Sequence, residues 1–97
     1  MNKTKIRLKI LNALSEDIRL RILELLRKKE RTPTEIVKAL GTTQPNISHH
    51  LRILEDSWII KSKREGKKII YSLSNKEIFK IFTLLDKMIL EEFGDKT

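Results

Sequence analysis

Two short helices that follow one another closely constrain this sequence more than any other feature. Thr32-Pro33-Thr34-Glu35 places a capping Thr, a Pro at the first helical position and a Glu three residues after the cap. Gly41 is expected to end that helix, and Thr43 is expected to cap the next one, over Gln44–Asp56. Two helices joined by about three residues that include a Gly predict a helix-turn-helix over residues 32–56.

Two earlier helices and one later helix are predicted around this motif. Apolar residues recur at spacings of three and four over Lys5–Leu14, and Ser15 is expected to cap a second helix whose first turn is acidic. Towards the other end, Ser74-Asn75-Lys76-Glu77 has the pattern of a capping box for a long apolar helix that runs to about Phe93.

Between the fourth and the last helix, the pattern changes to that of a β-hairpin. Trp58–Ile60 and Ile69–Leu73 are β-branched and aromatic segments, and Gly66 marks a turn in the basic stretch Lys61–Lys68. We therefore expect a mainly α (α+β) protein with about five helices and a two-stranded wing over residues 58–73. Four helices, two strands and a last helix, in that order, make a winged helix-turn-helix in a single domain over residues 1–97.

The composition excludes several classes of function. The 97 residues contain no cysteine, which removes disulfides, zinc ribbons and thiol nucleophiles together. The sequence shows no Gly-rich phosphate loop and no nucleophile–base pair, so we expect no enzymatic activity. No apolar run approaches the ~20 residues of a membrane span, and no signal peptide is visible, so we expect a cytoplasmic protein with no membrane partner.

The fourth helix divides into an apolar and a polar face. At 100° per residue, Ile47, Leu51 and Leu54 fall on one side and are expected to be buried. The opposite side carries amide, imidazole and guanidinium groups, of the kind that read base edges in the DNA major groove. A solvated polar face is the alternative interpretation. The candidate DNA-binding residues are Thr43, Gln44, Asn46, Ser48, His49 and Arg52.

The adjacent histidines of this helix have different expected roles. His49 and His50 point about 100° apart, so they cannot share a metal ion as an i, i+4 pair can. His50 lies nearer the apolar side and is expected to be packed or to face a phosphate. His49 is expected to be exposed and is a candidate for a base or backbone contact.

The predicted wing is strongly basic at its tip, where only Glu65 opposes the cationic side chains. A hairpin of this kind can lie along a phosphate backbone or enter the minor groove. Each phosphate that it neutralises would add to the salt dependence of binding. A solvated turn is the alternative, because exposed hairpins are commonly rich in Lys. The candidate wing contacts are Lys63, Arg64, Lys67 and Lys68.

The last helix is too apolar for a single contact face. Ten of the sixteen residues from Ile78 to Phe93 are apolar, whereas an amphipathic helix needs an apolar stripe of about 100°. We expect one face to cover its own domain and another to contact a partner subunit. The alternative is a longer intramolecular core, but a chain of 97 residues has little left to bury it.

From Thr43 to Leu73 the sequence resembles the ArsR/SmtB family of winged-helix transcriptional repressors. The recognition helix of that family has a Ser-x-His-Leu or Ser-His-x-Leu core, and Ser48-His49-His50-Leu51 satisfies both forms. The family's wing has a basic residue and a Gly before an aromatic-containing strand, as in the segment from Lys63 to Leu73. Asn12–Ser15 with Arg19–Leu23 also resembles the family's entry into its second helix.

The resemblance implies a homodimer that docks two recognition helices on a palindromic operator. Its subunits would meet through the first and last helices, over residues 1–14 and 75–93. By the same resemblance, DNA-contacting positions of the family fall on Gln44, Ser48 and His49 in the helix and on Arg64 and Lys67 in the wing. The expected dimer-interface residues are Ile6, Ile10, Phe82, Leu85, Ile89 and Phe93.

The sequence departs from the family pattern at three positions near the recognition helix. Pro45 stands where the family often has Ser, so one potential hydroxyl contact is lost. Ser57 and Trp58 stand where the family usually has Gly and Leu.

Many members of that family are released from DNA by metal ions, and this chain lacks their ligands. Thr32 and Thr34 stand where one metal site has Cys-x-Cys, and hydroxyls do not replace soft thiolates. The family's second metal site lies in its last helix, at positions that correspond to Asn75, Glu77, Met88 and Glu91. These residues provide two carboxylates and no imidazole. We expect no metal and no cofactor, and the sequence does not identify an inducer.

The leading function is a sequence-specific double-stranded DNA-binding transcriptional regulator, a repressor that acts as a homodimer. The net charge of +8 agrees with a polyanionic partner. One alternative is a winged-helix protein-interaction module, which would have neutral or apolar residues at Asn46, His49 and Arg52. Another is a non-specific DNA-compacting protein, against which the mixture of Gln, Asn, Ser and His favours base readout.

Overall fold

The computed structural model describes residues 1–96, and it contains the predicted order of elements. The strands are β1 (Ile60–Glu65) and β2 (Lys68–Leu73). A short 3-10 turn over Gly94–Lys96 follows the last helix. The winged helix-turn-helix prediction is therefore confirmed. The helices are α1 (Lys3–Ala13), α2 (Asp17–Lys28), α3 (Pro33–Leu40), α4 (Gln44–Asp56) and α5 (Ile78–Phe93).

Local capping explains why α3 and α4 begin where they do. The Thr32 hydroxyl accepts a hydrogen bond from the Glu35 backbone N–H at 3.3 Å, and the Glu35 carboxylate accepts one from the Thr32 N–H at 3.0 Å. Gly41 ends α3 with a φ of 66°, a left-handed conformation that costs glycine little. The Thr43 hydroxyl then accepts a bond from the Asn46 N–H at 3.3 Å. The caps predicted for this motif are confirmed.

The cap predicted at the start of α2 is wrong. The Ser15 hydroxyl donates to the Leu11 carbonyl at 2.8 Å and so completes the end of α1. Glu16 takes the capping position of α2 without a side-chain hydrogen bond. A Ser hydroxyl can donate a hydrogen bond to the backbone carbonyl four residues earlier in a helix, and this bond competes with capping of the next helix.

The capping box predicted for α5 is also absent. The chain makes a turn at Lys76 and Glu77 before α5 begins at Ile78. In this turn Asn75 Oδ1 accepts a hydrogen bond from the Glu77 backbone N–H at 2.8 Å. Local hydrogen bonds of this kind are typical of Asn outside helices.

The wing strands are longer, and the turn between them is shorter, than the sequence predicted. β1 begins at Ile60 rather than Trp58 and continues through Glu65. The strands pair antiparallel from Ile60 opposite Leu73 to Glu65 opposite Lys68, which leaves Gly66 and Lys67 as the turn. Charged residues disfavour a buried strand, but this ribbon exposes nearly all of β1 and tolerates them.

A short backbone bridge joins the wing to the loop between α2 and α3. The Arg31 N–H donates to the Tyr71 carbonyl at 3.0 Å, and the Tyr71 N–H donates to the Arg31 carbonyl at 2.8 Å. This antiparallel bridge lies outside the named strands. It fixes the outer side of β2 to the helical part of the domain.

Trp58 connects α4 to β1 in a left-handed conformation, with a φ of 62°. Ser57, which stands where the family usually has Gly, has a φ of −100°, and it is the next residue, Trp58, that adopts the left-handed conformation favourable to glycine. Ser57 is instead buried and donates its hydroxyl to the Ile53 carbonyl at 2.7 Å.

The hydrophobic core lies where α2, α3 and α4 meet the base of the wing. From α5, only Phe79 is buried among the residues that the structure describes. The core residues are Ala13, Leu14, Ile22, Leu23, Leu26, Ile36, Ile47, Leu51, Leu54, Ile59, Ile60 and Phe79.

Apolar side chains remain exposed on the two helices at the ends of the chain. The exposed apolar residues of α1 and α5 are Leu8, Leu11, Leu84, Leu85, Met88, Ile89, Leu90 and Phe93.

In the described part of the protein, no helix has the length and apolar character needed to cross a membrane.

Candidate nucleic-acid interface

The apolar side of α4 is buried as predicted, and its polar side is therefore exposed. Ile47, Leu51 and Leu54 each expose no more than 1% of their surface. Because helical residues three or four apart share a face, burial of this side turns the opposite side to solvent. All six residues proposed from the sequence are exposed, namely Thr43, Gln44, Asn46, Ser48, His49 and Arg52.

Hydrogen bonds restrict the side chains at the N-terminal end of α4. Asn46 Nδ2 donates to Thr42 Oγ1 at 3.0 Å, which limits rotation of the amide. The Thr43 hydroxyl caps α4, so its observed role is structural. Thr42 was not predicted as part of the site. Its only signal in the sequence is a hydroxyl four residues before an Asn.

His50 packs inside the protein and does not face solvent. Its Nδ1 lies 2.9 Å from Nη1 of Arg19, a buried side chain of α2. Because a guanidinium has donors only, His50 Nδ1 accepts this bond, and we assign a neutral ring with its proton on Nε2. Burial and the positive charge of Arg19 lower the pKa of His50. Of the two roles expected from the sequence, the structure selects the packed one.

The wing contains one cation that is held in ion pairs. Lys63 Nζ lies 3.1 Å from the Glu65 carboxylate and 3.7 Å from the Glu30 carboxylate. The hydrogen bond to Glu65 and the charge of Glu30 raise the pKa of Lys63. Within the part of the chain that the structure describes, no acidic group lies within 4.0 Å of the other candidate wing cations. These cations, all exposed, are Arg64, Lys67 and Lys68.

A cleft of about 500 Å³ separates α3 and the start of α4 from the wing. Lys38 lines it from α3, Gln44 from α4, and Lys67 and Lys68 from the wing. Lys38 is exposed and is a candidate phosphate contact that the sequence analysis missed. A single Lys on a short amphipathic helix gives no signal of its own, and only the fold places it opposite the wing.

Glu35 also lines this cleft, but its carboxylate is engaged in the α3 capping box. Glu35 Oε1 accepts bonds from both the N–H and the hydroxyl of Thr32, each at 3.0 Å. These two bonds lower the pKa of Glu35. The cleft therefore combines free ammonium groups with a carboxylate that is already satisfied.

The six residues proposed for the dimer interface lie in two kinds of environment. Ile10 and Phe82 are partly buried against the core of their own domain, and Ile6 is half-buried on α1. Leu85, Ile89 and Phe93 expose 48%, 41% and 58% of their surface along α5.

The positions that correspond to metal ligands in the family do not fit a metal site here. The Thr32 hydroxyl donates a hydrogen bond to the Glu35 carboxylate, and the Asn75 side chain accepts one from the Glu77 N–H. Glu77 Oε2 lies 2.8 Å from Lys80 Nζ. Across residues 1–96, no three His, Asp or Glu side chains form a cluster that could hold a metal ion. These positions keep two carboxylates but have neither a thiolate nor an imidazole, so they lack the soft ligands of the family's metal sites.

Two features together define the class of protein. The second helix of a helix-turn-helix exposes groups that can read base edges, and a cationic two-stranded wing follows it. This is the arrangement of winged helix-turn-helix DNA-binding proteins.

Comparison with known proteins gives the family. Residues 16–62 match the bacterial regulatory proteins of the arsR family. An HTH-type transcriptional regulator of Methanocaldococcus jannaschii is 33% identical over 91% of this chain and 100% of its own length. The chain belongs to the ArsR family of transcriptional regulators.

Other relatives extend beyond the matched region. A probable mercury resistance operon repressor of Streptomyces lividans is 36% identical over 68% of this chain and 53% of its own length. The chain thus spans about half the length of this curated relative.

A solved structure resembles most of the described fold. It is a homodimeric winged helix-turn-helix DNA-binding domain from Mycobacterium bovis, described as a possible ArsR-family transcriptional regulator. It is 26% identical, with a TM-score of 0.80, and the alignment covers 92% of this chain and 82% of that one.

Proposed function

We propose that this chain is a transcriptional repressor that binds double-stranded DNA sequence-specifically, as a homodimer on a palindromic operator. The exposed polar face of α4 carries the proposal. Gln44 and Asn46 have the amides that pair with adenine edges, and Arg52 has the guanidinium that pairs with guanine. Ser48 and His49 lie on the same exposed side and can bond to bases or phosphates.

The wing and the cleft beside it are proposed to hold the phosphate backbone. Arg64, Lys67 and Lys68 are exposed on the hairpin, and Lys38 faces the same cleft as the two lysines. Contacts of this kind position a protein on DNA without reading its sequence, and they make binding dependent on salt.

The exposed apolar side of α5 supports the proposed homodimer. A stripe of large apolar side chains that stays in water is unusual on a monomer and marks an interaction surface. A second copy of the chain would cover this stripe, and the M. bovis domain of similar fold is described as homodimeric. Twofold symmetry would place two recognition helices about one DNA turn apart, ~34 Å, on a palindrome.

The sign of regulation is proposed from relatives. The S. lividans protein is described as a repressor, and a Mycobacterium tuberculosis relative that is 35% identical over 66 residues is also named a transcriptional repressor. We also propose a cytoplasmic location, because the relatives are bacterial and archaeal proteins, in whose cells DNA lies in the cytoplasm.

Selection of bound sequences from random duplexes, repeated at several salt concentrations, tests the proposal. A palindromic consensus that persists as salt is raised is the expected result. Uniform enrichment of all duplexes would instead indicate non-specific compaction. No binding at low salt would indicate a protein-interaction module.

The variant Arg52→Lys tests base readout within the selected sequence. It keeps the charge but loses the planar fork that pairs with guanine. We expect discrimination at one base position to fall by about 1–3 kcal/mol, while affinity for unrelated duplex is retained. Competition binding against single-base operator variants measures the change. Equal loss on all duplexes would argue that Arg52 contacts phosphate only.

A further inference from the structure

One buried side chain links three helices of the domain. Arg19 of α2 exposes only 7% of its surface. It donates through Nε to the Ala13 carbonyl at 2.7 Å and through Nη2 to the Asn12 carbonyl at 3.2 Å, both at the end of α1. Through Nη1 it reaches His50 of the recognition helix α4 at 2.9 Å.

The acceptors explain why this cation is tolerated inside the protein. A buried charge is costly unless its donors are bonded, and these acceptors are two carbonyls and an imidazole nitrogen rather than a carboxylate. The last turn of α1 has no basic residue of its own. Arg19 therefore also supplies positive charge at the negative end of the α1 dipole.

The link requires a neutral His50. A proton on Nδ1 would remove the acceptor and leave an imidazolium against a guanidinium. The charged or titratable groups acting on His50 are Arg19 from α2, His49 from α4 itself and Glu16 just before α2. Glu16 is the acid in this set, and its effect on the pKa of His50 is the smallest of the three.

We propose that Arg19 and His50 are positioning residues for DNA binding, and that protonation of His50 weakens binding by detaching α4 from Arg19. This inference rests on the DNA-binding function proposed above. α1 belongs to the proposed dimer interface and α4 carries the base-reading groups. The Arg19 link therefore fixes the recognition helix relative to the helix that sets its spacing from the second copy.

His49 is expected to change DNA affinity in the opposite direction to His50, so the experiment must separate the two histidines. It is exposed beside Ser48 on the proposed DNA face, where an added proton would strengthen attraction to phosphates. His49 and His50 are the two histidines of the chain. A comparison of wild type with His50→Gln keeps His49 in both proteins, so it isolates the contribution of His50.

Fluorescence anisotropy with the selected operator, at pH 5.5 to 7.5 and constant ionic strength, tests the proposal. The oxygen of Gln can accept the Arg19 bond but does not titrate. We expect wild type to lose more affinity than His50→Gln on acidification, by up to about tenfold at pH 5.5, because a pKa below the ordinary value of His limits how far one proton can weaken binding at that pH. Circular dichroism at each pH checks that both proteins remain folded. Identical pH profiles would overturn the inference, whereas a wild type that binds no duplex at pH 7.5 would overturn the proposed function.

Two further measurements keep the inference testable if that variant is unstable. His50→Ala removes the acceptor and should weaken binding at pH 7.5 relative to His50→Gln, because only Gln restores a bond to Arg19. Histidine-ring nitrogen spectra of the wild type should show His50 with its proton on Nε2 at neutral pH. A proton on Nδ1 would overturn the inference without any substitution.

Discussion

At the scale of single residues, the imidazole of His50 couples folding to pH. Its pKa is lowered in the folded protein from an ordinary value near 6.5, so on acidification the unfolded chain takes up this proton first. The stabilisation from the neutral ring is therefore complete above pH ~6.5 and is lost as pH falls through the folded pKa.

Urea unfolding at a series of pH values measures this coupling. We expect the free energy of unfolding of the wild type to decline below pH ~6.5, and the decline to be smaller in His50→Gln, which has no ring to protonate. His49 and the carboxylates are common to both proteins and serve as the internal control. A steeper decline in the variant would contradict the assignment.

Trp58 allows a test of backbone strain with a matched pair of substitutions. Both Trp58→Gly and Trp58→Ala remove the indole, which lies under the Lys9 ammonium at 5.2 Å. Only Ala retains a Cβ at a φ of 62°. We expect the Gly variant to be more stable than the Ala variant by about 1 kcal/mol in urea unfolding. Equal stability would mean that the turn relaxes to another conformation once the indole is gone.

The sequence predicts those residues of the site whose placement depends only on their neighbours in the chain. The side of α4 on which Asn46, His49 and Arg52 lie follows from helical period alone. The partner of His50 is Arg19, 31 residues earlier in the chain, and no spacing rule connects them. Such long-range pairs depend on how helices pack, so the sequence could suggest a packed His50 but not its acceptor role.

At the scale of elements, the wing divides its cations into paired and unpaired ones. Lys67→Ala should reduce the slope of log affinity against log salt by about 1, because one phosphate contact is lost. Lys63→Ala removes the same charge, but Lys63 already neutralises Glu30 and Glu65, so its effect should be smaller. Anisotropy titrations of the two variants at several salt concentrations give both slopes. Equal slopes would show that the ion pairs of Lys63 open on DNA.

The apolar stripe of α5 is tested by charge placed on it. Leu85→Lys with Ile89→Lys should give monomers, because the two new ammonium groups of each subunit would have to be buried in the interface without partners. Glu91→Lys changes the net charge by the same amount and alters an exposed polar position of the same helix. Light scattering should show a dimer for wild type and for this control. A monomeric wild type would refute the proposed dimer.

The element boundaries show where local signals fail. The limits of α3 and α4 follow from a capping box, a Gly and a second capping Thr, so the sequence located them closely. The polar segment Lys61–Glu65 predicts a loop, and its strand conformation comes from pairing with β2. The Ser74–Glu77 pattern predicts an earlier start for α5, but the Asn75 bond to the Glu77 N–H competes with a helix cap.

At the scale of the whole molecule, folding and association are expected to be linked. The exposed stripe of α5 becomes buried only when a second copy binds, so dimer formation should stabilise the folded state by mass action. We expect the Tm of wild type to rise with protein concentration, and that of Leu85→Lys with Ile89→Lys to be independent of it. Differential scanning calorimetry over a hundredfold range of concentration measures both. A constant Tm in wild type would contradict the linkage.

The net charge is distributed unevenly along the chain. Residues 1–31 carry a net charge of +6 and residues 74–97 carry −1. The excess positive charge is absent from the segment that contains α5, so this part of the proposed dimer interface carries little like-charge repulsion, whereas α1 brings cationic residues to the same interface. The large charge of the first two helices can attract DNA over longer distances, as a field rather than as specific contacts.

The bridge between Arg31 and Tyr71 has a consequence for solubility. An isolated two-stranded ribbon has two open edges, and each can add a strand from another molecule and begin aggregation. Here the edge of β2 is occupied at Tyr71 by the protein's own backbone, and β1 carries Lys61 and Lys63 along its length. Charged side chains on one edge and a covered hydrogen-bonding site on the other discourage such growth. We therefore expect strand addition to the wing to be disfavoured even at high protein concentration.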